Sequence, residues 1–367
     1  MGKRLATAAA SMLLLTAAAS GSPDRSIGAQ IADGTEIGAG VQAVGVDSFA
    51  GVKTAFADGV TGYPDLTYQT LPGYRPLKLD LFLPPASFAA AGPRPMVVYV
   101  HGGGWMAGGP RRSAAYADWP RVLAALAAKG YVVASVSYRF SREAPFPAAI
   151  QDVKAAIRWL RARASTYNID PKRAAIWGQS AGGHLAALAG VTCGVAALEP
   201  GARIVPKSAN VETVPSAAPG SDEASDCVQA VVGWFGIYDF TALSKRTSPP
   251  PGMPPGPSAD DLFLGCAAGD CTPEQRRVAS PVSYVDRSDP PVLLMHGSDD
   301  HTVPESQTEI FDAALRRAGV PVRKIVVPGV DHSWIGKTPD ATREASRMAL
   351  RTAIDFIDEQ IGDKRPQ

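Results

Sequence analysis

The 367-residue chain has no excess of charge of either sign: 36 lysines and arginines face 35 aspartates and glutamates, for a formal net charge of +1. With no long-range field, neither nucleic acid nor an anionic membrane surface is an expected partner. Aromatic residues are sparse at 7%, yet 46% of residues are hydrophobic, enough for a large core and too many for a disordered chain. Only 5 histidines and 4 cysteines are present, so each can be weighed singly. No cysteine stands in a CxxC or beside a histidine at ligand spacing, and neither a metal nor an organic cofactor is expected. After the N-terminal segment no apolar run reaches the roughly 18 to 20 residues a membrane-spanning helix requires.

What is there begins with Lys3 and Arg4, an apolar run over residues 5–19, and the polar Ser20, Gly21, Ser22 and Pro23. This reads as a secretory signal peptide over 1–19, too short to be an anchor and cleaved near Ala19. A secreted or periplasmic location follows, and such a compartment tolerates disulfides. Four cysteines allow three pairings. Cys266 and Cys271 lie in a short glycine-containing stretch where a bridge closes easily, which leaves Cys193 with Cys227. Two structural bridges are expected.

Residues 20–62 are rich in Gly, Ala and Ser without a clean period and are expected to be a loosely ordered arm. Residues 65–68 and 77–83 suggest an edge hairpin around Pro72 and Gly73. From residue 96 onward short apolar strands alternate with helical stretches, the pattern of a mostly parallel sheet flanked by helices. Within it, Ile150, Val153, Ile157 and Leu160 recur at helical spacing. One catalytic domain over 63–361 is expected. It carries an insertion at 199–226, where periodicity is lost, and a cap segment at 240–284 containing a proline cluster.

Gly178-Gln179-Ser180-Ala181-Gly182 falls between a predicted strand and a predicted helix. Small residues on both sides permit the sharp turn that projects a serine hydroxyl above the sheet, and this context makes Ser180 the candidate nucleophile. His101-Gly102-Gly103-Gly104-Trp105 follows the apolar strand 96–100. Unobstructed N–H groups there suit an oxyanion hole, with Gly103, Gly104 and Ala181 as donors. No GK[ST] follows and the spacing does not fit GxGxxG, which argues against a phosphate loop.

Serine needs a base. His101 belongs to the glycine loop, His184 sits one turn into the helix after Ser180, His296 ends a strand, and His301 adjoins the candidate acid. His332, on the loop after the last strand, remains. Between Ser180 and His332, both Asp299 and Asp300 qualify by position as the acid; Asp300 is preferred and Asp299 is the fallback. The order nucleophile, acid, base is the one found in α/β-hydrolases. Trp105 and Trp334 flank the glycine loop and the base, where each either walls a substrate pocket or fills the core.

The segments HGGGW at 101–105, SYRFSREAPFPAAIQDVKAAIRWL at 137–160, GQSAGGHLAAL at 178–188, HGSDDHTVP at 296–304 and GVDHSW at 329–334 together resemble the alpha/beta-hydrolase superfamily. More narrowly, they look like its secreted carbohydrate-esterase and feruloyl-esterase-like branch, near the hormone-sensitive-lipase group. The resemblance covers about residues 63–361 and implies an alpha/beta-hydrolase fold and a serine esterase. In the family's HGxxDxxVP pattern the aspartate falls on Asp300. The chain departs from the hormone-sensitive-lipase type at the acid, at the 199–226 insertion and at the proline-rich stretch 246–260. The expected substrates are esters of small molecules or carbohydrates with short acyl groups, since the prolines and the Cys266–Cys271 stretch restrict the cap. The rivals are a peptidase of the same fold, for which no propeller or long cap domain is visible, and an inactive hydrolase fold used for binding.

Overall fold

The computed structural model describes residues 52–201, 224–244 and 257–363, which fall in one of the chain's two compact units, Gly51–Gln367. The segments read as signal peptide (1–19), most of the expected arm, most of the expected 199–226 insertion and the proline cluster of the expected cap lie outside the described residues.

Nine strands form one sheet: β1 (Thr54–Ala55), β2 (Thr61–Gln69), β3 (Leu77–Leu83), β4 (Arg94–Val100), β5 (Val132–Val136), β6 (Ile169–Gln179), β7 (Ala230–Trp234), β8 (Val292–Gly297) and β9 (Val322–Val327). Their order is β1-β2-β3-β5-β4-β6-β7-β8-β9. The first three and the β3–β5 pairing are antiparallel and the remainder parallel. The hairpin expected at 65–68 and 77–83 is β2–β3. Within the stretch read as an arm, β1 pairs with β2, and Phe56, just after β1, packs edge-on against Phe82 at 5.3 Å. Glycine and alanine masked that short strand, which has too few residues to show a period.

β4 explains why the sheet is covered on both sides. Met96, Val98 and Val100 enter one apolar cluster, Val97 and Tyr99 the other, so a continuous apolar run serves two cores. Each such buried side chain contributes about 1.5–3 kcal/mol. Helices α1 (Trp119–Ala127) and α9 (Pro339–Ile361) cover one face. On the other lie α2 (Ala148–Ala162), α4 (Ala181–Val191) and α8 (Ser306–Ala318), with the short α3 (Ala164–Tyr167) following α2. The cap segment supplies α5 (Phe240–Leu243), α6 (Ala259–Leu264) and α7 (Pro273–Ala279). α6 and α7 each begin with a reciprocal capping box, Ser258 with Asp261 and Thr272 with Gln275, so these short helices are fixed by their own first turns.

Both disulfides are present, Cys193–Cys227 and Cys266–Cys271. The fully buried Lys154 ammonium meets Glu199 at 3.2 Å and Asp226 at 2.8 Å, so residues near both cysteines of the first bridge are tied to one charge. The sheet order turns about β4: α1 leads from β4 to β5 on one side, and α2 crosses back to β6 on the other. Such a switch point opens a crevice at the carboxyl ends of the strands. There β4 runs out into the glycine loop and β6 into Ser180.

Candidate active site

Ser180 joins β6 to α4 in a backbone conformation few L-residues adopt, φ 52° and ψ −123°, at a typical cost of about 1–3 kcal/mol. The neighbours explain why the turn needs glycine. A Cβ on Gly178 would lie 2.0 Å from the Gly182 carbonyl oxygen, and one on Gly182 would lie 2.1 Å from that of Val100. Ser180 is held from across the sheet by its N–H, which donates to Trp234 O at 2.9 Å.

His332 lies with Nε2 3.1 Å from Ser180 Oγ and Nδ1 2.7 Å from Asp300 Oδ2. The carboxylate accepts, so Nδ1 carries the proton and Nε2 faces the serine with its lone pair. The Asp300 side chain is wholly shielded from solvent. Its Oδ1 accepts N–H bonds from Thr302 at 2.9 Å and Val303 at 2.8 Å. Burial pushes its carboxyl up, but hydrogen bonds from His296 and His332, reinforced by electrostatic attraction to the two rings, outweigh that and hold it well below the usual carboxylate range. Asp299 is spent elsewhere: its carboxylate accepts the Ser298 hydroxyl at 2.8 Å and its N–H donates to Val330 O.

The glycine loop reaches the same point. A Cβ on Gly102 would lie 3.2 Å from Ser180 Cβ. Gly103, Gly104 and Trp105 follow with φ of 123°, 59° and 56°, a run of left-handed backbone that glycine makes possible at two of its three positions. The N–H groups of Gly103, Gly104 and Ala181 donate to no protein acceptor among the described residues. His101 stacks on Tyr138 at 4.5 Å and donates from Nδ1 to Gly102 O at 2.7 Å, and burial lowers its pKa to about 4.

The two tryptophans, for which a pocket wall and a core role both stood open, are buried. Trp105 is 3% exposed and Trp334 is fully buried, so neither ring walls an open pocket. Trp105 stacks on Phe263 of α6 at 4.5 Å. Trp334 closes a one-turn helix, His332–Trp334, that sends its ring inward against Trp234 at 5.4 Å and Phe235 at 4.8 Å.

Three contributing residues were missed from the sequence. Asp331 Oδ1 accepts the N–H of His301 at 2.9 Å and of His332 at 2.6 Å, which ties the loop carrying Asp300 to the loop carrying His332. His296, treated as a loop-shaping residue, accepts the Thr308 hydroxyl on Nδ1 at 2.7 Å. It therefore presents Nε2–H to Val303 O at 2.9 Å, with Asp300 Oδ2 at 3.3 Å. Phe235, with φ 38°, places its ring edge-on to His332 at 4.6 Å. A signal existed for Asp331, which immediately precedes the base, but none for Phe235. Asp261, Cys266 and Cys271 bring ligand-type atoms together, yet the two sulfurs are bonded to each other and the carboxylate is engaged in capping α6.

The sheet order and the turn that carries Ser180 define the class, an alpha/beta-hydrolase. The BD-FAE family model matches residues 79–315, and the chain belongs to that family. It is 31% identical to Esterase LipQ of Mycobacterium tuberculosis over 78% of this chain and 60% of LipQ. It is 35% identical to Esterase LipC of the same organism over 66% of this chain and 53% of LipC. The chain thus spans little more than half the length of these relatives. Among solved structures, a truncated form of a carbohydrate esterase from gut microbiota superposes with a TM-score of 0.65 at 28% identity, over 85% of this chain and 99% of that one. The bifunctional GH43-CE protein of Bacteroides eggerthii gives 0.64 at 31% identity, over 84% of this chain and 36% of that one.

Proposed function

We propose that the protein is a secreted serine esterase that hydrolyses short-chain carboxylic esters, including acetyl or feruloyl groups on plant carbohydrates, through an acyl-enzyme on Ser180. The observation that carries this reading is the line Ser180 Oγ, His332 and Asp300, with separations of 3.1 and 2.7 Å, next to three N–H groups that have no acceptor among the described residues. His332 Nε2 removes the Ser180 proton as Oγ attacks the ester carbonyl carbon. Negative charge collects on the carbonyl oxygen, which the N–H groups of Gly103, Gly104 and Ala181 stabilise. Collapse breaks the carbon–oxygen bond to the alcohol, which leaves with the proton returned by His332. A water molecule, deprotonated by the same imidazole, then releases the acid and regenerates Ser180. Throughout, Asp300 holds the tautomer and balances the imidazolium.

The names of the structural neighbours favour carbohydrate-borne esters as the substrate class. Two disulfides fit an oxidising compartment, and no described helix is long and apolar enough to cross a membrane. Fluorophosphonate labelling confined to Ser180, with loss on the order of 10⁴ or more in kcat for Ser180→Ala, tests the nucleophile. A Ser180→Ala enzyme that kept a tenth of its kcat would overturn the assignment and favour another site or a binding module. Acetyl-xylan, methyl ferulate and p-nitrophenyl esters from C2 to C12 test the substrate. Best turnover at C8 or beyond would replace the short-chain reading with a lipase-like one.

A further inference from the structure

The burial of Trp105 removes one role and opens another. Its backbone directly follows the two loop glycines read as oxyanion donors, and its side chain stands where three elements meet. The indole N–H donates to His184 Nδ1 at 3.2 Å, and His184 in turn donates from Nε2 to Ala279 O, at the end of α7, at 2.8 Å. His184 belongs to α4, the helix that Ser180 begins. On the cap side, Trp105 stacks on Phe263 of α6 at 4.5 Å and lies 5.6 Å from Phe240 of α5. Both phenyl rings also meet His184 edge-on at 5.2 Å. The carbonyl of Trp105 accepts the Ser141 N–H at 2.8 Å, so the residue is gripped at backbone and ring alike. At Gly104 the cap is close as well: a Cβ there would lie 3.6 Å from Ala259 Cβ, at the start of α6.

A loop in left-handed backbone has no regular hydrogen-bond ladder to hold it, so the aim of its N–H groups depends on what anchors its end. We infer that Trp105 is a positioning residue for the oxyanion hole, and that the cap segment, through Phe240, Phe263 and Ala279, completes the hole by seating Trp105 against His184. The cap then acts on the chemical step and is more than a cover over the substrate. The inference rests on the reading of Ser180 as nucleophile and of Gly103 and Gly104 as donors.

Trp105→Phe keeps a ring in the box and removes the N–H; Phe263→Leu loosens the same box from the cap side. Rates are divided by the number of sites titrated with excess fluorophosphonate, so loss of folded enzyme does not register as loss of rate. Misplaced oxyanion donors should lower kcat by about 10- to 100-fold in Trp105→Phe, with KM within about 3-fold, since shifts near 1 Å in positioning groups cost on that order. Phe263→Leu should give a smaller loss in kcat of the same kind. A boronic acid that forms a tetrahedral adduct on Ser180 should weaken in parallel with kcat/KM in both variants. If both variants lose thermal stability while kcat per titrated site and boronate affinity stay within about 3-fold of wild type, the residue is structural and the inference falls. A wild-type enzyme that neither labels nor turns over esters would instead remove the esterase reading itself.

Discussion

The two halves of the site are held by different physics. On the side of the proposed acid and base, the loops at 298–303 and 328–334 are joined by directional hydrogen bonds near solvent: Ser298 Oγ accepts Gly329 N–H at 2.8 Å, and Asp331 binds two N–H groups while 43% exposed. On the oxyanion side, Trp105, His184, Phe240 and Phe263 form a buried aromatic box, none of them more than 3% exposed. The difference follows what each side must position. The proposed triad aligns proton donors and acceptors, which needs angular control; its carboxylate, Asp300, is shielded, while the ties between its loops stand near solvent. The glycine loop, on the proposed reading, aims backbone N–H groups, and dense packing fixes a backbone that no ladder supports. Damage to the polar half should therefore appear in catalysis with little loss of fold, whereas the packed half should register in both.

The sharpest cut through the polar half is at the neighbouring aspartates. Asp300→Asn should reduce kcat by about 10³- to 10⁴-fold, because an amide in place of the carboxylate no longer holds the Nδ1–H tautomer or balances the imidazolium. Asp299→Asn should cost less than about 10-fold, since that carboxylate faces Ser298. Steady-state kinetics on both variants decide the matter, and the reverse ranking would move the acid to Asp299.

The packed half makes its own prediction, in stability. His101 and His184 have pKa values lowered by burial from 6.5 to about 4. The folded state thus prefers both imidazoles neutral, and their contribution is present above pH 6.5 and lost progressively as pH falls from 6.5 toward 4. Each loses about 2 kcal/mol by pH 5, at about 1.4 kcal/mol per unit. Asp289, pushed up to about 6 by burial, acts in the opposite direction and offsets part of this. A net fall on the order of 2 kcal/mol between pH 7 and pH 5 is expected from urea unfolding. Equal stability at the two pH values would mean these imidazoles are not buried as neutral groups.

The same division explains what was legible in the sequence. The alternation of strand and helix after residue 96 and the helical spacing of Ile150, Val153, Ile157 and Leu160 are local patterns, and they give β4 to β9 and α2 within a few residues. The residues read as nucleophile, acid and base sit in short segments at strand ends, where a turn leaves a mark in glycine and in spacing. The structure brings Ser180, Asp300 and His332 together. Trp105 and Trp334 could not be oriented, because whether an aromatic at a loop end turns inward depends on partners distant in sequence, Phe263 for one and Trp234 for the other. Asp331 escaped for the same reason: one of its two N–H partners, His301, lies on the acid loop. The cap's course was unreadable in detail, although Ser258 and Thr272 signal helix starts in hindsight.

The smallest effect asks whether the polar clasp is redundant. Asp331 Oδ1 links the N–H groups of His301 and His332, but the loops are also joined by Asp299 N–H to Val330 O at 3.0 Å and Ser298 N–H to Val327 O at 3.0 Å. Asp331→Ala removes one of several ties, and at an exposed position water can replace the lost acceptor, so the stability cost should be no more than about 1 kcal/mol. The proposed base, His332, is nonetheless freer to swing from Asp300, and kcat should fall by about 10-fold, the equivalent of about 1.4 kcal/mol in the barrier. Asp331→Asn retains an oxygen that can accept both N–H groups and loses only a charge that solvent already screens, so kcat should stay within about 3-fold of wild type. Kinetics and thermal melts of the two variants separate the possibilities. If Asn is as damaging as Ala, the charge of Asp331 matters more than its hydrogen bonds. If Ala is silent, the remaining backbone ties hold the acid and base loops without it.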